Sequence, residues 1–456
     1  MRRILASIIL VTAFVMVSVN AHAFSLLDPN LANQQGLEPG ASNTTASVPN
    51  AANQQAFSLL HPNTWSHAFD NFKPMDPNTW PFIPVPEVAT DPNGGVTYGV
   101  LPVWLFTNDK GDISSILAPD INSNSTLGPG GNFRYLGYPS SDTNWYVVAG
   151  AQKIIGRKID LDYQTGREHK HWLSFEGRFY WEHDPTERFY GLGNNSHQGN
   201  QTNYTTKQLY GEAILGVNFN EKIQLSLMER PRYVRIGAGG FNSVPDISHL
   251  FPHQKGINGG SELLSQAMIQ YDSRDSVDIP RSGTLARLYY GIADRRFGSS
   301  ISYNRFGGEL REFYTVGKRI TFAGHIFNEY EPAGNEMPFW SQARLGGQES
   351  LLTDQETLRG FGAGRYIDNN LFVMNAEMRT RVWEKKIFGT HGILELAPFA
   401  EAGRVSHRMG YNPFTDLHPV GGIGFRGIAE PFVVGFVDVG WGGEGAAVFS
   451  GINYPF

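Results

Sequence analysis

The feature that most limits the fold is a period-two alternation of apolar and polar residues, which recurs from about residue 96 to residue 456. In one segment Leu173, Phe175, Phe179 and Trp181 share a face, and the intervening positions are mostly charged or polar. Successive side chains of a β-strand point to opposite faces, so each segment predicts a strand between two unlike environments. A soluble sandwich and a membrane barrel both have this period. Polar faces rich in Glu, Arg, Asn and Gly, with Phe and Trp near the ends of the apolar faces, favour a barrel.

Composition points the same way. The mean hydropathy of −0.30 excludes a polytopic helical membrane protein, since each helical span needs ~20 consecutive apolar residues. The chain has 52 glycines, 13% aromatic residues and only 18% charged residues, which suits a barrel with one face in lipid. No helix of convincing amphipathic length follows residue 96, so an α/β enzyme is not expected.

The charge balance and the absence of cysteine exclude several functional classes. With no cysteine, the chain has no disulfide framework, no cysteine-ligated metal site and no thiol nucleophile. The formal net charge is −6, so there is no net positive field to attract nucleic acid.

Residues 1–23 have the features of a secretory signal peptide. Arg2 and Arg3 provide a positive start, residues 4–19 form an apolar core, and Ala21-His22-Ala23 fits the small-x-small cleavage rule. We expect export and cleavage before Phe24. The alternative, a retained anchor, is disfavoured because the core is short and a cleavage motif follows it directly.

Residues 24–95 differ from the rest. They hold ten of the 26 prolines, and residues 24–30 return almost unchanged at 57–63. Prolines at this density remove backbone donors, so we predict an irregular arm that serves as a plug or a periplasmic tail. Short docking segments and a plain linker remain equally open interpretations of the repeats. The predicted organisation is therefore a signal peptide (1–23), an arm (24–95) and a barrel (96–456).

The last residues resemble the C-terminal signal of bacterial outer-membrane barrels. An aromatic residue ends the chain, and Gly451, Tyr454 and Phe456 have the expected spacing. We expect Tyr454 and Phe456 to share one face of the closing strand, at the membrane interface.

A second motif is more specific. Leu345-Gly-Gly347 is followed by Leu358-Arg-Gly-Phe-Gly-Ala-Gly-Arg-Tyr-Ile-Asp368, and then by a strand with Ala376-Glu-Met-Arg379. This order resembles the BamA/TamA-like outer-membrane assembly factors, also described as bacterial surface antigens. Further matches along the chain are Arg188-Phe-Tyr-Gly-Leu-Gly-Asn194, Asp272-Ser-Arg-Asp275, Phe399-Ala-Glu-Ala-Gly403, Gly422-Ile-Gly-Phe-Arg426 and Asp438-Val-Gly440.

The resemblance implies an all-β fold: a transmembrane antiparallel β-barrel of sixteen strands in the outer membrane of a Gram-negative bacterium. It also implies an extracellular loop that folds into the barrel, with Arg359, Gly360 and Phe361 at its tip. A guanidinium withdrawn from solvent must be paired with carboxylates. We predict an Arg359–Glu401 contact, with Glu377 or Asp438 as the next partner.

The sequence departs from this family in one respect, because residues 24–95 show no POTRA pattern. The function implied is assistance in inserting or translocating proteins or lipids at the outer membrane. A gated or passive diffusion pore and a surface-exposed structural barrel remain alternatives. The expected partners are outer-membrane lipids and, for the first function, client proteins or periplasmic factors. A closed barrel can stand as a monomer, which we expect here.

Neither catalysis nor a cofactor is predicted. Gly422-Ile-Gly-Phe-Arg-Gly427 has the spacing of a dinucleotide-binding turn, but it lies in a β context with no helix to receive a pyrophosphate. His169 and His171 share a strand face without a third ligand, so no metal site is expected.

Overall fold

The structure is a computed structural model that describes residues 83–91, 93–108, 113–154, 156–241, 243–332, 337–347, 357–387, 390–408 and 412–456. The predicted signal peptide and most of the predicted arm lie outside the described residues, so both stay predictions. The last part of that arm is described, and it forms a strand, Ile83–Asp91.

One large antiparallel sheet contains 19 strand segments, and a second sheet is a small hairpin of two. The main-sheet segments are β1 (Ile83–Asp91), β2 (Gly95–Thr107), β3 (Ile113–Leu117), β4 (Asp120–Asn124), β5 (Gly128–Ser140), β6 (Thr143–Gln152), β7 (Arg157–Thr165), β8 (Leu173–Phe189), β9 (Thr202–Asn218), β10 (Ile223–Ala238), β11 (Gly260–Asp272), β12 (Gly283–Ala293), β13 (Tyr303–Val316), β14 (Ile320–Tyr330), β17 (Asn370–Ile387), β18 (Thr390–Ser406), β19 (His418–Ala429), β20 (Val433–Gly442) and β21 (Gly445–Ile452). The small hairpin is β15 (Ala343–Leu345) with β16 (Tyr366–Asp368). The described helices are short: α1 (Ile247–Leu250) and two 3₁₀ turns, Gln198–Asn200 and Arg295–Phe297.

The strands follow one another around the barrel as a meander. From β5 to β14 each strand pairs with the next, β14 then pairs with β17, and the order continues to β21. The first and last strands also meet, since Thr90 Oγ1 of β1 donates to the Val448 carbonyl of β21 at 3.2 Å.

The expected number of sixteen strands is not confirmed. Segments β3 and β4 both pair with β2 and β5, so they form one interrupted strand and the sheet has 18 strand positions. The barrel also begins earlier than residue 96. Pro84 and Pro86 lie two positions apart, so both remove N–H donors from the same edge of β1 and leave the other edge able to pair. A proline-rich sequence is therefore compatible with a strand at this position.

The exposure of the two faces is the reverse of that in a soluble protein. In β10, Leu225 and Leu227 are 43% and 61% exposed, whereas Gln224 and Ser226 are 7% and 2% exposed. A soluble sheet would bury the leucines and expose the polar side chains. The sheet therefore has its apolar face outward and its polar face in the lumen, as a barrel in lipid requires. Within the described residues, no helix has the length and apolarity to cross a membrane.

The two rims of the barrel differ in their connections. Long connections on one rim, here called the loop rim, include residues 331–369 between β14 and β17. The other rim, here called the turn rim, carries short turns such as 317–319 between β13 and β14. The first residue of β1 and the last residue of β21 both lie at the turn rim. This follows because an even number of antiparallel strand positions returns the chain to the rim at which it started.

The expected place of Tyr454 and Phe456 at the membrane interface is wrong. Strand β21 ends at Ile452, and Asn453 has a φ of 76°, which turns the chain out of the strand. Phe456 is only 2% exposed and packs with Phe313 and Ala323. The alternation would have had to continue through residues 453–456 to place these rings in lipid, and the left-handed conformation of Asn453 interrupts it.

The reversed burial predicts a position-dependent cost for a charge on the outer face. Leu288 lies at the middle of β12 and is 65% exposed. We expect Leu288→Arg to lower the free energy of unfolding in lipid vesicles by about 2–4 kcal/mol, because the guanidinium would face hydrocarbon. The measurement is urea unfolding after reconstitution.

A matched control is Phe297→Arg, since Phe297 is 64% exposed but lies in the 3₁₀ turn between β12 and β13. It should change the unfolding free energy by no more than ~0.5 kcal/mol. Equal effects of the two substitutions would contradict the assignment of the outer face to lipid.

Candidate functional site

The loop between β14 and β17 is built as a hairpin that points into the barrel. Its stem is the β15–β16 pair, in which Leu345 lies opposite Tyr366. A further bridge joins Gly347 and Leu358. Gly346 and Gly347 have φ values of 115° and 87°, a region that favours glycine, so the Gly-Gly pair allows the chain to turn beyond the stem. The stem holds the two ends of the tip together.

The tip carries Arg359 into contact with three carboxylates. Its Nε lies 2.7 Å from Glu401 Oε1, and its Nη1 lies 2.6 Å from Glu377 Oε1 and 2.7 Å from Asp438 Oδ2. Its backbone N–H also donates to Glu401 Oε2 at 2.6 Å. All four side chains are fully buried. The structure thus brings together the four residues that the sequence singled out, and both secondary candidates bind the arginine as well as Glu401.

Two further arginines complete this group. Arg379 Nε lies 2.8 Å from Glu377 Oε2, and Arg426 Nη2 lies 3.0 Å from Glu377 Oε1. Arg426 also pairs with Asp438. The resulting Arg359 cluster has three guanidinium groups and three carboxylates, so its formal charge is zero. Its members are Arg359, Arg379, Arg426, Glu377, Glu401 and Asp438.

Strand period explains why these residues converge. Glu377 and Arg379 are two apart on β17, so both face the lumen, and Glu401 lies opposite Asn375 of the same face. Arg426 on β19 and Asp438 on β20 face the lumen from the next two strands. Four neighbouring strands therefore present one side chain or more to a single point. Burial of isolated charges would be costly, but here each carboxylate is bound by at least one guanidinium.

Glycines on the same strands leave the space that the cluster occupies. A Cβ at Gly424 would lie 2.3 Å from Asp438 Oδ1, and a Cβ at Gly422 would lie 2.1 Å from the Phe399 ring. The Phe399 ring in turn stacks under Arg359, whose Cζ lies 3.6 Å from the ring centroid. Gly422 and Gly424, which belong to the segment with the spacing of a dinucleotide-binding turn, therefore leave room for the side chains that pack around the guanidinium groups.

The glycine of the tip is required by close backbone approach. A Cβ at Gly360 would lie 2.4 Å from the Gly442 nitrogen, and a Cβ at Gly440 would lie 2.0 Å from the Arg359 carbonyl oxygen. Three glycines therefore let the tip backbone lie directly on β20. Side chains in any of these positions would push the tip away from its carboxylates.

Phe361, the third residue of the motif, fixes the tip through apolar contacts. It is buried in a cluster with Leu345, Leu358 and Phe399, and its ring meets Tyr366 edge-on at 5.5 Å. Tyr366 stacks on His418 at 3.9 Å between ring centroids. Burial raises the pKa of the Tyr366 hydroxyl to about 12, and the nearby Arg365 charge only partly opposes this effect. The ring therefore stays uncharged at neutral pH.

Two other arginines attach the loop to the opposite wall. Arg344 of the stem donates to Tyr204 Oη on β9 at 2.7 Å. Arg365 donates to Ser196 in the β8–β9 loop at 2.9 Å and to Glu444 in the β20–β21 turn at 2.7 Å. The loop therefore spans the lumen and is bound on both sides.

The Arg188–Asn194 motif binds this loop too. The Gly193 N–H donates to the Ile367 carbonyl of the stem at 2.9 Å. Arg188 donates to the carbonyl of Asn93, in the β1–β2 turn, at 2.8 Å. Asn93 Nδ2 donates in turn to the Ala363 carbonyl of the tip at 2.8 Å. These contacts connect the first hairpin of the barrel to the loop.

Only part of this site could be predicted from the amino-acid sequence. Arg379 and Arg426 belong to the motifs that carry the family resemblance, and Arg379 was expected to line the lumen beside Glu377, but neither arginine was predicted as a member of this cluster. The roles of Arg344, Arg365 and Asn93 were not foreseen, because each depends on which loops meet across the lumen. Gly451, Tyr454 and Phe456 lie apart from the loop tip. Arg379, a member of the Arg359 cluster, nevertheless donates a hydrogen bond to the backbone oxygen of Phe456. Among the described residues, no group of three or more histidine, aspartate or glutamate side chains is placed to hold a metal ion.

A family model for the Omp85 superfamily domain matches residues 143–424. The chain belongs to the Omp85 superfamily. The predicted relationship to outer-membrane assembly factors is thereby confirmed, and with it the barrel and its place among non-enzymatic outer-membrane proteins.

Solved structures resemble this Omp85 protein at low sequence identity. BamA from Haemophilus ducreyi lacking POTRA domains 1–3 has a TM-score of 0.46 and 14% identity, over 77% of this chain and 74% of that chain. CdiB from Escherichia coli has a TM-score of 0.49 and 12% identity, over 82% and 67%. CdiB from Acinetobacter baumannii has a TM-score of 0.41 and 9% identity, over 81% and 58%. A search of curated proteins finds no match.

The Arg359 cluster predicts a large loss on truncation of its central guanidinium. Arg359→Ala would leave three carboxylates facing two arginines without access to water. We expect the free energy of unfolding to fall by about 3–5 kcal/mol. Arg296, an exposed partner of Asp294 in a loop-rim turn, supplies the control, and Arg296→Ala should unfold as the parent does, because water screens an exposed ion pair. A parent-like Arg359→Ala protein would refute the role of the cluster.

The tip glycines predict a second, purely steric effect. Gly440→Ala places a methyl group against the Arg359 carbonyl, whereas Gly421→Ala on the neighbouring strand meets no atom within 4 Å. We expect Gly440→Ala to cost about 1–3 kcal/mol and to make the tip sensitive to added protease. The Gly421→Ala protein should behave as the parent in both assays. A tip that stays protected in Gly440→Ala would show that it does not lie on β20.

Proposed function

We propose that this barrel assists the insertion or translocation of proteins or lipids at the outer membrane by opening at the junction between β1 and β21. The loop rim would then face the cell exterior and the turn rim the periplasm of a Gram-negative bacterium, which the chain would reach by means of the predicted signal peptide. Outer-membrane lipids and client proteins would be the partners. The observation that carries the proposal is the short length of the strands at this junction.

Strand length sets the height of the barrel wall. β21 has 8 residues and β20 has 10, and the described part of β1 has 9, whereas β17 has 18 and β18 has 17. At ~3.4 Å per residue and a tilt of ~40°, 8 residues rise about 20 Å and 17 residues about 45 Å. The hydrocarbon core is ~30 Å thick. Lipid beside β1 and β21 would have to thin to meet the wall, which lowers the barrier to insertion there.

The junction also has features that weaken hydrogen bonding between strands. β21 contains Gly445 and Gly451, and glycine weakens a strand because it has no side chain to pack. Thr90 Oγ1 to the Val448 carbonyl is a side-chain contact rather than a ladder bond. A junction of this kind can separate at lower cost than the long β17–β18 pair.

The loop tip contacts both sides of this junction. Gly360 lies on β20 at Gly442, and the Ala363 carbonyl accepts from Asn93 between β1 and β2. Movement of β1 away from β21 would therefore strain or break the hydrogen bond between Asn93 and the Ala363 carbonyl of the tip. The same tip spans the lumen, which argues against a freely conducting pore as the resting state.

A disulfide across the junction tests the proposal, and the natural chain has no cysteine to interfere. Thr90→Cys/Val448→Cys is oxidised in proteoliposomes, and insertion of an unfolded barrel client is followed by protease protection. We expect the oxidised protein to lose the activity and the reduced protein to regain it. The control is Val217→Cys/Leu225→Cys, a pair of lipid-facing neighbours on β9 and β10.

Equal activity of the oxidised and reduced junction variants would overturn the proposal. So would an intact set of outer-membrane barrel proteins after depletion of this protein in cells. Steady conductance of the parent in planar bilayers would favour the diffusion pore instead.

A further inference from the structure

Residues 453–456, here called the tail segment, leave the wall and cross the inside of the barrel at the turn rim. They follow β21, but their contacts are with strands on the far side of β20. Tyr454 packs with Ile393 of β18, Ile428 of β19 and Val434 of β20. Phe456 packs with residues of β13 and β14. Residues 453–455 therefore connect the last strand to a residue that packs on strands five and six positions back in the sheet.

Polar contacts fix Tyr454 in this place. Its hydroxyl donates to Glu395 Oε2 on β18 at 2.7 Å. The Arg379 guanidinium lies over its ring, with Cζ 3.8 Å from the centroid. The ring is thus held between a carboxylate and a cation that belong to two different strands.

Phe456 occupies an enclosed aromatic pocket. Its ring stacks on His325 at 5.3 Å between centroids and packs on Phe313 and Ala323. Its backbone oxygen accepts from Arg379 Nη2 at 3.1 Å. Phe456 is almost completely buried, so the pocket removes its apolar ring surface from water, which stabilises the docked position.

A second element covers the same rim. Ile279, in the turn between β11 and β12, packs in the apolar cluster beside Tyr454. Asp278 of that turn binds Arg167 of the β7–β8 turn at 2.6 Å. The tail segment and this turn therefore meet over the lumen, one from each wall.

Arg379 joins the tail segment to the loop tip. It binds Glu377 through Nε at 2.8 Å and Phe456 through Nη2 at 3.1 Å, and Glu377 binds Arg359. The tail lies on the turn-rim side of the Arg359 cluster, because Glu377, Arg379 and Arg381 follow each other along β17 toward that rim. The loop fills the lumen from one rim and the tail from the other.

We propose that the tail segment is a second closure of the lumen, which docks in the site formed by Arg379, Glu395, His325, Phe313 and Ala323 and seals the turn rim independently of the loop. Removal of the loop tip alone then leaves the barrel closed. Passage through the lumen requires release of both elements.

Single-channel recording in planar bilayers tests whether the tail segment closes the lumen, with three variants that are compared with the parent and a control. The tail variant is Tyr454→Ala/Phe456→Ala, the loop variant is Arg359→Ala/Phe361→Ala, and the third protein combines them. Phe414→Ala, which removes an exposed aromatic ring from a loop-rim connection, is the control. Heat-modifiable migration on gels shows which proteins are folded, and the recordings use only folded barrels.

We expect the parent, the control and both separate variants to stay silent, and the combined variant to conduct steadily. If the loop variant conducts as well as the combined one, the tail closes nothing and the proposal fails. Silence of the folded combined variant also overturns it. None of these outcomes depends on client insertion.

Cysteine labelling gives a readout that leaves the loop intact. Ala323→Cys lies beneath Phe456, and Ala323 is buried. With a membrane-impermeant maleimide, we expect the tail substitutions to raise its labelling rate by roughly tenfold or more, while Phe414→Ala leaves it unchanged. An equally protected cysteine in the tail variant would show that the pocket is covered by something other than residues 454 and 456.

Discussion

The buried charge balance around Arg359 is the constraint on which the rest of the structure depends. Three guanidinium groups and three carboxylates lie out of contact with water, and each needs the others, since an unpaired charge in such a place costs several kcal/mol. Five of the six residues come from the wall and only Arg359 comes from the loop. Without the loop, the five wall residues of the cluster would carry three negative and two positive charges, and one carboxylate would lose its balancing guanidinium. The inward fold of the loop is therefore required by the wall as much as by the loop itself.

This constraint explains features that would otherwise look unrelated. The glycines at 360, 440 and 442 bring backbone against backbone so that Arg359 can reach its carboxylates. Arg344 and Arg365 bind the stem to the opposite wall, which keeps the tip at the right depth. The reversed burial of the strands makes such a cluster possible. Because the outer face is apolar and the lumen is polar, charged residues can lie inside while the barrel remains in lipid.

The parts of the molecule that were predictable from sequence are those governed by strand period. Alternation placed Glu377 and Glu401 on lumen faces, the family resemblance implied that Arg359 folds into the lumen beside them, and the requirement that a buried arginine be paired then connected these residues, with Asp438 as a further candidate. The position of the tail segment was not predictable in this way. It depends on one left-handed residue, Asn453, and on a pocket built by strands that are distant in sequence. The number of strands was not predictable for a similar reason, because a proline-rich segment such as residues 83–91 can pair along only one of its edges, and the sequence does not show whether a neighbour lies at that edge.

The central claim is that the loop tip lies inside the barrel, and the labelling of one buried position tests it directly. Thr357 precedes the tip, is fully buried, and its hydroxyl has no hydrogen-bond partner among the described residues, so Thr357→Cys changes little else. In reconstituted protein, a membrane-impermeant maleimide should label it at least roughly 100-fold more slowly than Leu250→Cys, which lies on an exposed part of the loop rim. Labelling of the two cysteines at the same rate would contradict the account.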